Sequence, residues 1–387
     1  MSNINKFEVY NEEFSFLNKF FDSFNKELNE MGHANLIIAG KTGVGKSTLI
    51  NSAFREDIAK TGIGKPVTEE GDVKWFEKEG FPLRIYDTIG LELDEKRRER
   101  SLAMIKDVCM KSKKSTDPDK YIHAMWYCVH SEADRLEQYE VDYINSVAEE
   151  VDVILVITKS YRKKHAERLL RSIDEEYSYL NVRNKVIVLA ADESSDDVEE
   201  GEILKKAYGL DTLIEVTAQI IPESAQKAWC NAQKASIDLK ISKSSTLVMT
   251  TAAAAFGEGF IPLPFSDSLA LIPTQLGMLA GITAIFGINV SKNMLKTIIT
   301  SIAGKAGATF AGRAIVSNLL KMIPGFGSAV GGAISGSTAS ILTIALGEAY
   351  ISIMKLIVNG EIKEFEIGDK KLQDKMKEIF NSKLNSK

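Results

Sequence analysis

Cysteine is scarce in this chain: Cys109, Cys128 and Cys230 are the only three in 387 residues, odd in number and far apart. That spacing gives neither a disulfide framework nor a metal cluster, and it fits a reducing cytosol. Histidine is nearly as rare, with four. None of His33, His123, His130 and His165 stands in a pattern that pairs a base with a nucleophile, so all four read as structural. His130, at the end of an apolar run, lies nearest the expected site. No apolar segment follows a basic start in MSNINKFEVYNEEF, so no secretory signal is read there. Positive charge is not in excess either: the formal net charge is −5, which gives no global case for nucleic acid as a partner. Charged residues make up 26% of the chain, yet 268–291 and 322–347 contain none. Both stretches exceed the ~18–20 residues that a membrane-spanning helix needs.

What is present begins with GKTGVGKST at 40–48: Gly40, Lys41, Thr42, Gly43, Val44, Gly45, Lys46, Ser47 and Thr48. The stretch satisfies G-x-x-x-x-G-K-[ST]. Glycines allow sharp backbone turns that aim successive N–H groups at phosphate oxygens. Lys46 would reach the β- and γ-phosphates, and the Ser47 hydroxyl would face Mg²⁺. The short apolar run Asn35–Ala39 before it reads as a strand, and Ser47–Ile50 opens a helix, which is the order a phosphate cradle requires.

Downstream, strand and helix patterns alternate. Strands are expected over Asp72–Glu77, Pro82–Tyr86, Tyr121–Val129, Asp152–Thr158 and Lys185–Leu189. Helices are expected over Asp94–Met110, Glu132–Glu149 and Lys163–Tyr179. Such alternation predicts a mainly parallel sheet covered on both faces, with ligand at the carboxyl ends of its strands. Asp87-Thr88-Ile89-Gly90 falls at such an end. Asp87 there suits Mg²⁺, usually through water, and the Gly90 N–H suits a γ-phosphate. Thr68, in the loop GIGKPVT, is the candidate switch threonine for Mg²⁺ and γ-phosphate. The expected catalytic set is thus Lys46, Thr68 and Gly90, and the expected metal set Ser47, Thr68 and Asp87.

With GKTGVGKS, GKPVT, DTIGLE and Thr158-Lys159 the chain resembles the translation-factor-like GTPases. With YGLDTLIEVTAQIIPESAQKAW and IPLPFSD it resembles more closely the bacterial Era-like GTPases that carry a hydrophobic helical domain, distantly similar to immunity-related GTPases. The resemblance implies GTP and GDP as ligands with Mg²⁺. It places Lys159 along the base after Thr158, and Ala190-Ala191 at the second base-contacting segment. Two departures matter. Where the family supplies a carboxylate to read guanine, this chain has Tyr161, leaving Asp192 as an alternative acceptor. Where a glutamine often orients the attacking water, it has Leu91, which implies slow intrinsic hydrolysis. Arg135 and the Arg97, Arg98, Arg100 cluster are candidates for charge stabilisation in trans, against the simpler reading as solvated helix faces. Acceleration by a homodimer across the nucleotide face, or by an unknown activating protein, is the corresponding expectation. An ATPase of the same fold and a non-hydrolysing scaffold are the alternatives; no RNA-binding domain is evident.

The flanks complete the expected architecture: an α/β P-loop G domain with a mainly parallel sheet, then an all-α hydrophobic domain. Asn11–Glu30 has Phe14, Leu17, Phe20, Phe21, Phe24 and Leu28 at helical spacing, predicting an amphipathic helix. Asp192–Glu202 is an acidic surface loop, and 208–242 one or two helices broken at Pro222. The expected domains are 1–33, 34–206, a helical linker 207–243, an apolar helical domain 244–360 and an amphipathic tail 361–387. FIPLPFSDS and MIPGFGSAV suggest a weak internal duplication. The small residues of the apolar segments suit close helix contact in a soluble bundle, in helices that enter or lie on a membrane, or in a pore. The expected location is cytoplasmic, with peripheral or conditional insertion at the inner membrane face and a lipid surface as a partner.

Overall fold

A computed structural model describes residues 18–55, 73–88, 95–194, 203–258, 271–291 and 336–362, with 378, 379 and 382. The chain divides into two units, 31–237 and a second formed by 1–30 with 238–387.

The first unit is built on a six-stranded sheet in the order β2-β3-β1-β4-β5-β6. Its strands are β1 (Ala34–Ala39), β2 (Val73–Lys78), β3 (Phe81–Thr88), β4 (Ala124–His130), β5 (Val153–Thr158) and β6 (Asn184–Ile187). Only β2 runs antiparallel, paired to β3 as an edge hairpin; the other pairings are parallel. All six residues of β1 and of β5 are buried, as nearly continuous apolar runs covered on both faces should be, with Asn35 and Thr158 the polar exceptions. One face packs against α3 (Glu95–Lys114), α4 (Gln138–Ala148) and α5 (Lys163–Glu176), through Ile105, Val141, Ile144, Leu169 and Ile173 against Ile37, Met125, Tyr127 and Leu155. Alternation along β4 turns Trp126 to the opposite face. There it stacks on Phe54, at 5.9 Å, and meets Trp229 edge-on, at 5.8 Å. Its indole N–H donates to Thr217 Oγ1 at 3.0 Å. Thr217 and Trp229 belong to α6 (Leu210–Ile220) and α7 (Glu223–Ala232), so these helices, expected as a linker, fall in the same unit as the sheet. Pro222, extended at φ −64, stands before α7 and separates the two helices.

Several boundaries differ from expectation by a few residues, two of them for identifiable reasons. β4 starts at Ala124 rather than Tyr121, because Asn35 diverts the backbone before it. Its amide donates to Tyr121 O at 2.7 Å, and its own N–H donates to His123 Nδ1 at 3.0 Å. α4 starts at Gln138 rather than Glu132, because Glu137 and Glu140 form a reciprocal capping box there. The acidic stretch is framed by a short antiparallel pair, β7 (Glu193–Ser194) with β8 (Ile203–Lys205).

The second unit holds α1 (18–30), α8 (Ile237–Glu258, which begins at the unit boundary), α9 (Leu271–Phe286) and α10 (Gly336–Val358). Phe20 and Phe24 are buried and stacked at 6.2 Å. The helices approach closely where glycine permits it: a Cβ on Gly281 would lie 2.6 Å from Leu247 Cδ2, and one on Gly347 would lie 2.4 Å from Val248 Cγ2. Buried polar pairs link α9 to α10, Thr283 Oγ1 with Tyr350 OH at 2.8 Å and Gln275 Nε2 to Thr343 Oγ1 at 3.4 Å. The buried Lys240 ammonium donates to Ile285 O at 3.3 Å and Phe286 O at 3.1 Å, carbonyls at the end of α9 that have no partner within the helix. Residues 339–358 are long and apolar enough to cross a membrane, with mean hydropathy 1.8, and 53% of that window is buried. FIPLPFSDS, MIPGFGSAV and most of the expected C-terminal tail helix lie outside the described residues.

Candidate functional site

The loop between β1 and α2 (Lys46–Ala53) is shaped by three glycines in the left-handed half of backbone space: Gly40 at φ 134, Gly43 at φ 77 and Gly45 at φ 101. Gly40 is required twice over, since a Cβ there would fall 2.3 Å from the Cys128 carbonyl oxygen. Gly45 precedes the first turn of α2, where free N–H groups and the helix dipole favour an anion. The Lys46 ammonium turns back over the loop, donating to Gly40 O at 2.9 Å and Lys41 O at 3.1 Å. Ser47 and Thr48 are exposed on the first turn, while Val44 is buried beneath.

Asp87, next to last in β3, pairs with Ile38 of β1. Burial pushes the Cys128 thiol up to about 12, with the Lys46 ammonium pulling down and the Asp87 carboxylate pushing up. Both charges therefore act on the same buried thiol beneath the loop. The lysine, the exposed Ser47 hydroxyl, the carboxylate and a backbone that only glycine allows are the donor set that a nucleotide polyphosphate with Mg²⁺ would need. Thr68 and Gly90 lie outside the described residues, as do Leu91 and Glu92.

The segment after β5 is held against the phosphate loop from several sides. The single Thr158 hydroxyl proton is shared between Val44 O, 2.5 Å from Oγ1, and Val129 O, 3.0 Å away, tying β5 to both the loop and β4. Ser131 Oγ donates to Lys159 O at 2.8 Å, and Tyr208 OH to Ser160 O at 2.7 Å. Lys159 takes the left-handed φ of 50, and its Cγ would be 3.4 Å from a Cβ on Gly45. Its aliphatic stem thus lies along the loop. Tyr161 is 41% exposed, and Lys205 Nζ donates to its carbonyl. Ala190 and Ala191 follow the Leu189–Tyr208 bridge beyond β6, where Ser160 N–H meets Val188 O at 3.3 Å. Asp192 accepts from the Ala207 N–H at 2.6 Å. His130 is held by a bond from Glu132 N–H to its Nδ1, 3.0 Å; burial and then the Lys159 charge lower its pKa. Arg135 pairs with Glu137 at 3.8 Å on the surface.

Sequence reasoning missed Glu140. It is 2% exposed and accepts from Lys41 Nζ at 2.9 Å, from Tyr127 OH at 3.0 Å and from Glu137 N–H at 3.1 Å. The one available signal was the Glu137-x-x-Glu140 spacing of a capping box. Sequence also missed a polar cluster at the other end of the sheet. There Arg84 bridges Glu77, at 2.8 Å, and Asp119, at 3.0 Å, with His33 Nδ1 3.0 Å from Asp119 Oδ2.

Residues 35–192 match the family described as 50S ribosome-binding GTPase. That stretch is a P-loop GTPase domain, mixed α/β with a mostly parallel six-stranded sheet, of a guanine-nucleotide-binding class. Among curated proteins the chain is similar to magnetosome membrane protein 22 of Magnetospirillum gryphiswaldense, 29% identical over 98 residues, which cover 25% of this chain and 50% of that protein. It is 27% identical to neuronal-specific septin-3 of Danio rerio over 153 residues, 33% of this chain and 41% of the septin. It is 36% identical to translocase of chloroplast 108 of Physcomitrium patens over 80 residues, 20% of this chain and 8% of the translocase. The chain thus spans half or less of the length of these relatives.

Proposed function

We propose that the chain is a slow, Mg²⁺-dependent GTPase whose nucleotide state controls the apolar helical unit at a membrane surface. The observation that carries this reading is the glycine-shaped loop with Lys46 folded over it, at the head of a GTPase domain. In this reading the loop N–H groups and Lys46 bind the phosphates, and Lys159 lines the base. Thr158 holds the two loops at a fixed separation. Ser47, Asp87 and Thr68 are the residues that would hold Mg²⁺, which when bound neutralises charge on the β- and γ-phosphate oxygens. Gly90 and Thr68 sense the third phosphate, and Leu91 leaves the attacking water unoriented, so turnover is slow without a partner. The link to the helical unit rests on the motifs YGLDTLIEVTAQIIPESAQKAW and IPLPFSD, by which the sequence resembles Era-like GTPases with a hydrophobic domain. The span-length helix at 339–358 and two relatives named for a membrane and a translocase support the membrane.

Flotation of the full chain with anionic liposomes tests the whole reading. GTP should increase the bound fraction over GDP, and Lys46→Ala should abolish the difference; equal flotation in both nucleotides would overturn membrane control. Single-turnover phosphate release that stays at background with Mg²⁺ and liposomes would replace the enzyme with a scaffold.

A second reading, weak discrimination between GTP and ATP, is favoured by one observation. The carboxylate expected at 161 is a tyrosine, and Asp192 is engaged by the Ala207 N–H. Displacement of labelled GTP by equimolar ATP would establish it; resistance to a hundredfold excess of ATP would exclude it.

A further inference from the structure

The second residue of the phosphate loop is fastened to a buried carboxylate, and the same fastening reaches α3. Glu140 sits in the first turn of α4 and holds the Lys41 ammonium at 2.9 Å while Tyr127 OH and Glu137 N–H also donate to it. Its neighbour Tyr139 is half-buried, with Lys41 Nζ 5.4 Å from the ring centroid and Arg98 Cζ 4.4 Å from it. One aromatic ring thus receives a cation from the phosphate loop and a cation from α3, within cation–π range of both. Burial alone would lower the Lys41 pKa, but hydrogen bonds and charge from Glu140 and Tyr139 raise it, so the loop cation is held charged.

The position of Arg98 gives this joint its meaning. It stands in the first turn of α3, eight residues after Gly90 and eleven after Asp87. Arg98 thus belongs to the helix that follows Asp87 and Gly90 in the chain. A surface charge on α3 does not need an aromatic face on α4, and Lys106 of the same helix simply pairs with Glu149 at 3.0 Å in solvent.

We propose that Lys41, Glu140 and Tyr139 are positioning residues that couple the phosphate loop to α3 through Arg98, so that the loop and the helix answer together to the third phosphate. This rests on the nucleotide-switch reading above. In it, Glu140 fixes the loop cation and Tyr139 carries displacement between the two cations. The discrimination between GTP and GDP then depends on side chains that touch neither phosphate nor base.

A double-mutant cycle on the full chain tests it, with the ratio of GTP to GDP affinity measured by fluorescent-nucleotide titration. Lys41→Met keeps the loop N–H and removes the cation; Arg98→Gln removes the other cation. Each alone should shrink the ratio by about fivefold, the scale of a modest coupling energy, and the double variant should shrink it no further than the larger single effect. Multiplicative effects, or ratios unchanged in both single variants, would overturn the coupling. Lys106→Ala should leave the ratio unchanged; an equal fall would assign the effect to general packing of α3 and overturn the proposal. Should Lys41→Met fail to fold, the cycle of Tyr139→Leu with Arg98→Gln carries the same expectations. A wild-type chain that bound no GTP would defeat the switch reading and this proposal with it, whereas wild-type binding with additive variants would defeat the coupling alone.

Discussion

The two units solve opposite problems with glycine and buried polar atoms. In the sheet unit, Gly40, Gly43 and Gly45 bend the backbone into conformations with positive φ, and the polar side chains around them converge on one loop. In the helical unit, Gly281 and Gly347 make room for a neighbouring helix, and the buried polar atoms pair between helices. The first pattern builds a place for a ligand. The second holds apolar helices together, because a hydroxyl buried without a partner costs on the order of 1–3 kcal/mol. Hydropathy alone does not distinguish them: 339–358 would suit lipid by composition, yet Tyr350 is fully buried on Thr283.

Substitutions can break this comparison in order of expected effect. Gly40→Ala forces a Cβ against the Cys128 carbonyl at a positive φ. It should cost roughly 3–5 kcal/mol and lower the melting temperature of the sheet unit by about 10 °C. Gly43→Ala, with nothing within 4 Å, should cost about 1 kcal/mol from its backbone alone. Similar losses for the two would show that close approach to β4 does not shape the loop.

The sheet unit should also lose stability with acid. His123 is buried and accepts from the Asn35 N–H. Burial lowers its pKa from 6.5 to about 4, against an upward pull from Asp119. The unfolded chain therefore binds a proton below pH 6.5 that the folded chain refuses. The contribution is fully present above pH 6.5 and is lost as pH falls toward 4. Its size is roughly 3 kcal/mol at most. Urea titrations from pH 7 to pH 4 should show the loss in the wild type and a shallower slope in His123→Gln. Equal slopes would remove His123 from the account of acid sensitivity.

In the helical unit, Gly347→Ala should cost about 1–3 kcal/mol by overpacking, and Tyr350→Phe about 1 kcal/mol by removing its bond to Thr283, which keeps its bond to Leu279 O. Both effects should appear in denaturant titrations in water, without lipid. If neither variant changes stability there, the packing of α10 against α8 and α9 does not hold the helices in water, and the contrast between the units fails. Lys106→Ala, removing an exposed pair, should cost under about 0.5 kcal/mol.

The distribution of what sequence makes legible follows the same contrast. A phosphate loop is local, so nine consecutive residues announce it, and the strand and helix around it follow from apolar periodicity. The buried role of Glu140 is not local. It depends on Tyr127 from β4 and Lys41 from the loop, and in a linear reading it is one more charge on a helix. Thr158 is legible as a position after a strand, but its two bonds to Val44 and Val129 require the parallel neighbours to be placed. Residues 210–232 read as connecting helices because Trp229 and Thr217 find Phe54 and Trp126 only across the chain. In the apolar helices composition leaves bundle, membrane and pore readings open. The pairs that link those helices, Gln275 with Thr343 and Thr283 with Tyr350, are 68 and 67 residues apart.

The central claim is that the loop at 40–48 binds the phosphates of GTP through Lys46. Equilibrium titration of labelled GTP into wild type and Lys46→Ala, with circular dichroism recorded on both, tests it most directly. Loss of charge-assisted bonds to phosphate should weaken binding by about 100-fold or more with the spectrum unchanged. Equal GTP affinity in the two proteins would contradict it.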